Sequence, residues 1–568
     1  MREKGTLDGF PTKEELEKNF EKEIKEILAY IVKYNPYDML SYFYSDYKIS
    51  YGKGTVKTEC WEKSRTVRDL QQLILCIDKN KYKKQSLRQK DIDVIESSLK
   101  KIQTYVRKYE VVKDELGELT EEEKEYIIHS NCFKDWNGKR YDIFEVQHHK
   151  DLLNPLAEEF KETYNFEIAM LYKGIENIKY RFYIEFADNV NNLKDYIKTN
   201  KLKLMKNGTI KLPKNVLKKE EINIENKIKG FHKNIFGLEL LDLQKITTWT
   251  TEFLNIFTNN IGDYKEFAKN ITIENWNKLI NKINYKPLIK IDNKYYILLH
   301  QSFYDNMDRS IMKGICDKLS SNQQEIRARF ARNAEKVVAG YLKNILSSSD
   351  IYIKNFYNNN FENDILISYD DNIFIIEVKS GNFTPELASS DFESHKEALN
   401  NLICTAQQQI TNIEKYLKGN NSVEIYDSNN KKTRNKKEKI NFGKDTNIFK
   451  IIVNVENFND IQARADKVDL LKLDKNTLVF CLDDLRVYSE YFKNDACLFI
   501  QYLFQRMKTI GNKNMDLSDE LYHLGMWIEN NFYNEVANQM VVNLEQEIKE
   551  KIGTVHLIGE DWMTELDA

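Results

Sequence analysis

Proline is scarce in this 568-residue chain, with six in all, and no Pro/Gly-rich linker marks a domain boundary. Cysteine is also sparse. Cys60, Cys76, Cys132, Cys316, Cys404, Cys481 and Cys497 are odd in number, scattered, and never in a CxxC pair. That excludes a disulfide framework and a cysteine-rich zinc site, and leaves reduced, buried thiols. No apolar run approaches the ~20 residues of a membrane-crossing helix. The first residues, MREKGTLDGFPTKEELEK, hold no apolar signal core. The expectation is a cytoplasmic protein with no membrane partner. Neither charge sign dominates: 85 Lys and Arg stand against 88 Asp and Glu. A globally basic binder is excluded, but a local basic surface for nucleic acid is not. There is no G-x-x-x-x-G-K-[ST] loop, since the GKGT at 52–55 lacks the preceding glycines, and no HExxH, GxSxG or zinc-finger spacing. ATP-driven movement would need a separate ATPase or helicase subunit.

The length suggests three or four domains, at ~100–200 residues each. Residues 1–215 read as a helical domain. Thr12 and Glu15 form a capping box, followed by apolar positions Phe20, Ile24, Ile27, Leu28 and Ile31 at helical spacing. Similar periodicity runs through Val67–Ile77, Ile92–Val106 and Leu152–Tyr172. The His148-His149 pair points to an exposed or core-edge role, because adjacent helical residues do not face one another. Residues 216–310 read as a mixed linker domain whose Pro287–His300 stretch forms a β-hairpin around Asp292-Asn293-Lys294.

From 311 to 485 the pattern becomes a mixed α/β domain. A helix over 321–346 precedes strands at 351–357, 364–369 and 372–380. Asp370-Asp371 turns the second strand into the third. A helix over Glu393–Leu417 and strands Phe449–Val455 and Thr477–Cys481 follow, an order that argues for a helix–sheet sandwich. Between them lies a segment, 419–444, read as a mobile basic loop. Lys431, Lys432, Arg434, Lys436, Lys437 and Lys439 there face Glu438 alone between Ser428 and Lys439. It offers a phosphate contact or a solvated loop. Residues 486–568 read as C-terminal helices with an acidic tail at Gly559–Ala568. The fold class is α+β and multidomain.

Asp364 opens one strand of the predicted hairpin, and Glu377 and Lys379 end the next on a shared face, with Val378 pointing away. Burying such charges without partners costs several kcal/mol. Paired carboxylates repel unless a cation neutralises them. Mg²⁺, held by one or two carboxylates plus water and phosphate, meets that need. The other reading is a salt-bridged strand end open to solvent.

Asp364, twelve residues, then Glu377-Val378-Lys379 resembles the PD-(D/E)XK nuclease signature, with Asn363 in the proline place. The predicted order resembles that family's αβββαβ, restriction-endonuclease-like core. Glu335 best matches the glutamate that such families carry on the first helix, with Glu325 a poorer match. Glu362-x-Asp364 to Ser380, with Ala406-x-x-Gln409-Ile410 and Tyr416, is similar to nuclease-related domains of bacterial restriction and phage-defence proteins. The resemblance spans about residues 320–485. It implies a Mg²⁺-dependent nuclease, with Mn²⁺ as an alternative ion. Asp364, Glu377 and the Val378 carbonyl would be ligands, Lys379 would be catalytic, and Glu335 and Gln409 would support them. Arg327, Arg329 and Arg332, on the helix bearing Glu335, offer phosphate contacts or a solvated face. DNA is the expected partner. An RNA-directed nuclease and a catalytically idle binding or scaffold subunit remain open, as does a homo-oligomer.

Overall fold

The computed structural model describes residues 11–52, 57–129, 141–204, 210–211, 218–358, 361–383, 391–441, 443, 446–458, 460–474 and 476–547. Where four segments were expected, the chain divides into two compact units. One comprises Met1–Leu119, Asp135–Gly138 and Ala157–Lys318; the other comprises Thr120–Lys134, Lys139–Leu156 and Leu319–Ala568. Residues 120–129 and 141–156 therefore leave the helical half. Tyr126, Tyr141 and Leu152 bury themselves in the second unit's core. Helical periodicity shows that a face will be buried, but not against which core.

The first unit opens with helix Lys13–Ile31, whose Thr12/Glu15 capping box makes both reciprocal bonds. The periodic residues Phe20, Ile24, Ile27 and Ile31 are buried. Leu288–Ile291 and Lys294–Ile297 pair antiparallel. Asp292 and Asn293 between them are both left-handed (φ 47° and 64°), the conformation a two-residue hairpin turn requires. A short strand, Thr258–Asn260, adds in parallel to this hairpin and was not foreseen. The helical periodicity of Leu152–Tyr172 is carried by three helices, Glu145–Leu153, Ala157–Tyr164 and Ile168–Tyr180.

The second unit is a mixed seven-stranded sheet between helical layers. Its strands are β1 (Asp350–Phe356), β2 (Glu362–Tyr369), β3 (Asn372–Lys379), β4 (Ser422–Tyr426), β5 (Lys436–Asn441), β6 (Asn447–Asn454) and β7 (Thr477–Cys481). The spatial order is β5-β4-β1-β2-β3-β6-β7. β1, β2 and β3 form an antiparallel meander, and β6 and β7 run parallel to β3. β3 is central and reads as a nearly continuous apolar run because both of its faces are covered. Phe374, Ile376 and Val378 pack with Ala334, Val338 and Leu342 of helix α1 (Gln323–Ile345). Ile373 and Ile375 pack on the other side with Ala406, Ile410 and Ile413 of helix α2 (Thr405–Lys418). The helix expected over 393–417 is interrupted by one wide turn, Asn400–Cys404.

The expected basic loop is instead the β4–β5 hairpin. Val423, Ile425 and Ile440 anchor it in the α2-side core. Asp427 accepts from the backbone and side chain of Asn435 across its neck. An edge strand needs only one apolar face, and exposed lysines keep such an edge from pairing with other chains. The low apolar content of Ser428–Lys439 was therefore compatible with strand. After β7 come helices Leu482–Tyr491, Ala496–Lys508, Glu520–Glu529 and Tyr533–Glu547. The break between the first two contains Asn494, which is left-handed (φ 58°). The acidic tail lies outside the described residues. No described helix is long and apolar enough to cross a membrane.

Candidate active site

The site forms where the β2–β3 ladder ends. The last pair in register is Ile365 with Ile376, so Asp364 and Glu377 come next on neighbouring strands. Glu377 is 1% exposed. Its Oε1 accepts from the Asp364 backbone N–H (3.4 Å) and from Asn363 Nδ2 (3.2 Å). Its Oε2 is buried, has no hydrogen-bond partner among the described residues, and lies 3.6 Å from Lys379 Nζ. Asp364 Oδ2 accepts from the Val378 N–H at 2.8 Å. The N–H and C=O of one strand residue point to the same side, so the Val378 carbonyl is aimed at the same strand edge.

Lys379 donates to Gln409 Oε1 of α2 at 2.6 Å. Glu335, on α1, is half-buried and within electrostatic reach of Asp364. The structure thus gathers Asp364, Glu377, Lys379, Glu335 and Gln409 from β2, β3, α1 and α2. Glu325 is exposed and pairs with Arg332 at 2.8 Å.

Burial pushes the Glu377 carboxyl up to about 8, and the charge of Asp364 adds to this, while Lys379 opposes it. Burial, then Asp364, likewise raises Glu335 to about 7, against Lys354 and Arg332. These are the marks of negative charge crowded into a partly dry site. Among the described residues, no three His, Cys, Asp or Glu gather closely enough to chelate an ion by themselves. The donors present are two carboxylates and one backbone carbonyl, with an orphaned buried oxygen on Glu377. That set fits Mg²⁺, which keeps waters and substrate phosphate for its remaining positions.

Two site residues were missed by the sequence reading. Asn363, fully buried, bonds both Glu377 and the Ile376 carbonyl (3.1 Å). Its position in the proline place was legible, but its role was not. Tyr357, at the end of β1, is also fully buried, its hydroxyl lacks a hydrogen-bond partner among the described residues, and the Glu377 charge reaches it. Its ring meets Tyr416 at 5.7 Å.

The basic candidates separate. Lys431 and Lys432 are exposed at the hairpin tip. Arg434 stacks over Tyr426 (4.0 Å) and bonds Asn358. Lys436 pairs with Glu424 at 3.0 Å. Lys437 is not a free cation: it donates to the Ile353 carbonyl, the Lys354 carbonyl and Asn355 Oδ1. On α1, Arg327 is exposed, Arg329 and Arg332 are half-buried, and Arg332 is held by Glu325.

The His148-His149 pair is buried, contrary to expectation. His148 Nδ1 meets Arg486 at 3.2 Å, and His149 lies 3.6 Å from Glu145. His148 and Asp151, through Arg486, tie helix 145–153 into the second unit. A cavity of about 1010 Å³ in the first unit, lined by Tyr37, Asp38, Phe236 and Tyr296 among others, contains none of the site residues. The chain matches no protein-family model, no curated protein and no solved structure.

Proposed function

We infer that the second unit is a metal-dependent nuclease that hydrolyses phosphodiester bonds in DNA. The helical first unit would serve targeting, regulation or assembly, and a restriction or phage-defence setting rests on the resemblance alone. The observation that carries the reading is the Asp364–Glu377 pair. Two carboxylates share a buried strand end, and one has an oxygen beside a lysine with no hydrogen-bond partner among the described residues. A structural ion pair would not need the second carboxylate. The helix–meander–helix–strand order of α1, β1–β3, α2 and β6 supports it, being the order that the resemblance calls for.

Asp364, Glu377 and the Val378 carbonyl would hold Mg²⁺, or Mn²⁺ in its place. Such an ion, when bound, polarises the phosphate and lowers the pKa of water. Asn363 fixes the Glu377 carboxylate through Oε1 and leaves Oε2 for the ligand role. Gln409 orients Lys379, whose remaining N–H groups can donate to an attacking water and to the phosphoryl oxygens as charge grows on them. Lys431 and Lys432, at the exposed hairpin tip, suit phosphate groups farther along the strand.

Incubation of the purified chain with duplex DNA, single-stranded DNA and RNA tests this, each with Mg²⁺, Mn²⁺ or EDTA. Cleavage that requires the ion and is lost in Asp364→Ala supports the reading. RNA-only cleavage changes the substrate, and no cleavage returns the fold to an idle binding subunit.

A further inference from the structure

One residue of β1 departs from strand conformation. Lys354 has φ 53°, in the left-handed region. That region costs a residue with a Cβ about 1–2 kcal/mol and is visited readily by glycine. The register continues on both sides of it, Ile353 against Ile365 and Asn355 against Asn363. Lys354 therefore stands across from Asp364 at the one step where neither is paired.

The kink is fastened from the neighbouring hairpin. Lys437 Nζ donates to the carbonyls of Ile353 (2.5 Å) and Lys354 (2.8 Å) and to Asn355 Oδ1 (3.3 Å). Asn355 is fully buried and bonds back to the Tyr352 carbonyl at 2.7 Å. All three ammonium protons of Lys437 are thus used to hold a backbone conformation. Lys354 itself is exposed, and its charge acts on Glu335.

A strained residue held by its surroundings at a site edge has a role to explain. Strand pairing supplies none here, since glycine or asparagine would take the same φ with less strain. The charge balance supplies one. Three carboxylates, Asp364, Glu377 and Glu335, offset a divalent ion and Lys379. A substrate phosphate then arrives with a negative charge that none of these neutralises.

We propose that Lys354 is a substrate-binding residue that holds a backbone phosphate next to the scissile bond, presented there by a left-handed kink that Lys437 clamps. This rests on the nuclease reading above.

The test compares Lys354→Gly, Lys354→Asn and Lys354→Arg with wild type. It reads the melting temperature, duplex-DNA affinity against salt in EDTA, and cleavage in Mg²⁺. Glycine and asparagine both suit the kink, so both variants should melt at or above the wild-type temperature. Each should flatten the log–log salt slope by about 0.9, the value of one phosphate contact, and cut cleavage tenfold or more. The arginine variant should keep the slope. Wild-type slope and cleavage in both the glycine and asparagine variants would overturn the proposal and leave the nuclease reading standing. A wild-type protein that binds DNA without cleaving it would overturn the nuclease reading, while the salt slope still decides whether Lys354 meets phosphate. Wild type that neither binds nor cleaves would overturn both.

Discussion

Replacing Glu377 by glutamine should make the metal-free protein more stable at alkaline pH. Glutamine keeps an oxygen for the Asn363 and Asp364 donors and brings no charge to the buried strand end. The carboxyl of Glu377 is raised from 4.5 to about 8 in the folded protein, by burial first and by Asp364 second. It therefore binds its proton more tightly folded than unfolded. Its contribution to stability is fully present below about 4.5 and is lost as pH rises through about 8. A shift of that size corresponds to a ceiling on the order of 5 kcal/mol. Relaxation and water entry around a charged Glu377 reduce that ceiling, so a few kcal/mol fall to this substitution. At ~2–4 °C per kcal/mol for a unit of this size, that is a rise of about 5–10 °C. Thermal melts in EDTA at pH 5, 7 and 9 check it. Wild type and Glu377→Gln should melt together at pH 5 and separate progressively to pH 9. Added Mg²⁺ should then raise wild type more than the variant, since an ion stabilises only the state it binds. A variant that melts no higher than wild type at pH 9 would refute the crowded-charge account.

Three further outcomes follow from the same geometry. Asn363→Ala removes a buried donor to Glu377 and to the Ile376 carbonyl, and should cost about 1–3 kcal/mol of stability in denaturant melts. Lys437→Met strips the clamp from the Ile353 and Lys354 carbonyls; melting should fall and cleavage with it, with no matching loss of salt dependence beyond one contact. Lys431→Ala with Lys432→Ala should flatten the salt slope for duplex binding by roughly 1.8 if the hairpin tip meets phosphate, and an unchanged slope would return the tip to a solvated surface.

The chemistry-bearing strand was legible because β3 carries two signals at once. Its apolar run marks a strand buried on both faces, and the alternation at Glu377, Val378 and Lys379 breaks that run where a buried charge needs a reason. The Asp370-Asp371 turn then set which residue of β2 came opposite. The β4–β5 hairpin was not legible, because its strand pattern is carried by Val423, Ile425 and Ile440 alone, diluted among lysines. Composition groups Lys437 with the phosphate contacts because it cannot tell a cation facing solvent from one facing three acceptors of its own chain. The left-handed Lys354 leaves no trace in sequence, since the residue type argues against that conformation. The transfer of residues 120–129 and 141–156 to the second unit depends on long-range packing, such as Tyr126 with His395 (2.6 Å) and Asp151 with Arg486 (2.8 Å), which periodicity does not encode.

The central claim is that Asp364 and Glu377 hold an ion while Lys379 acts on the reaction. The most direct measurement sets Mg²⁺ binding beside cleavage in the Asp364→Ala, Glu377→Ala and Lys379→Ala proteins. Titration calorimetry should show weakened ion binding in the two carboxylate variants and wild-type-like binding in Lys379→Ala. All three should lose most cleavage, with excess ion restoring part of it only in the carboxylate variants. Undiminished cleavage by all three proteins would place any activity elsewhere and contradict the account.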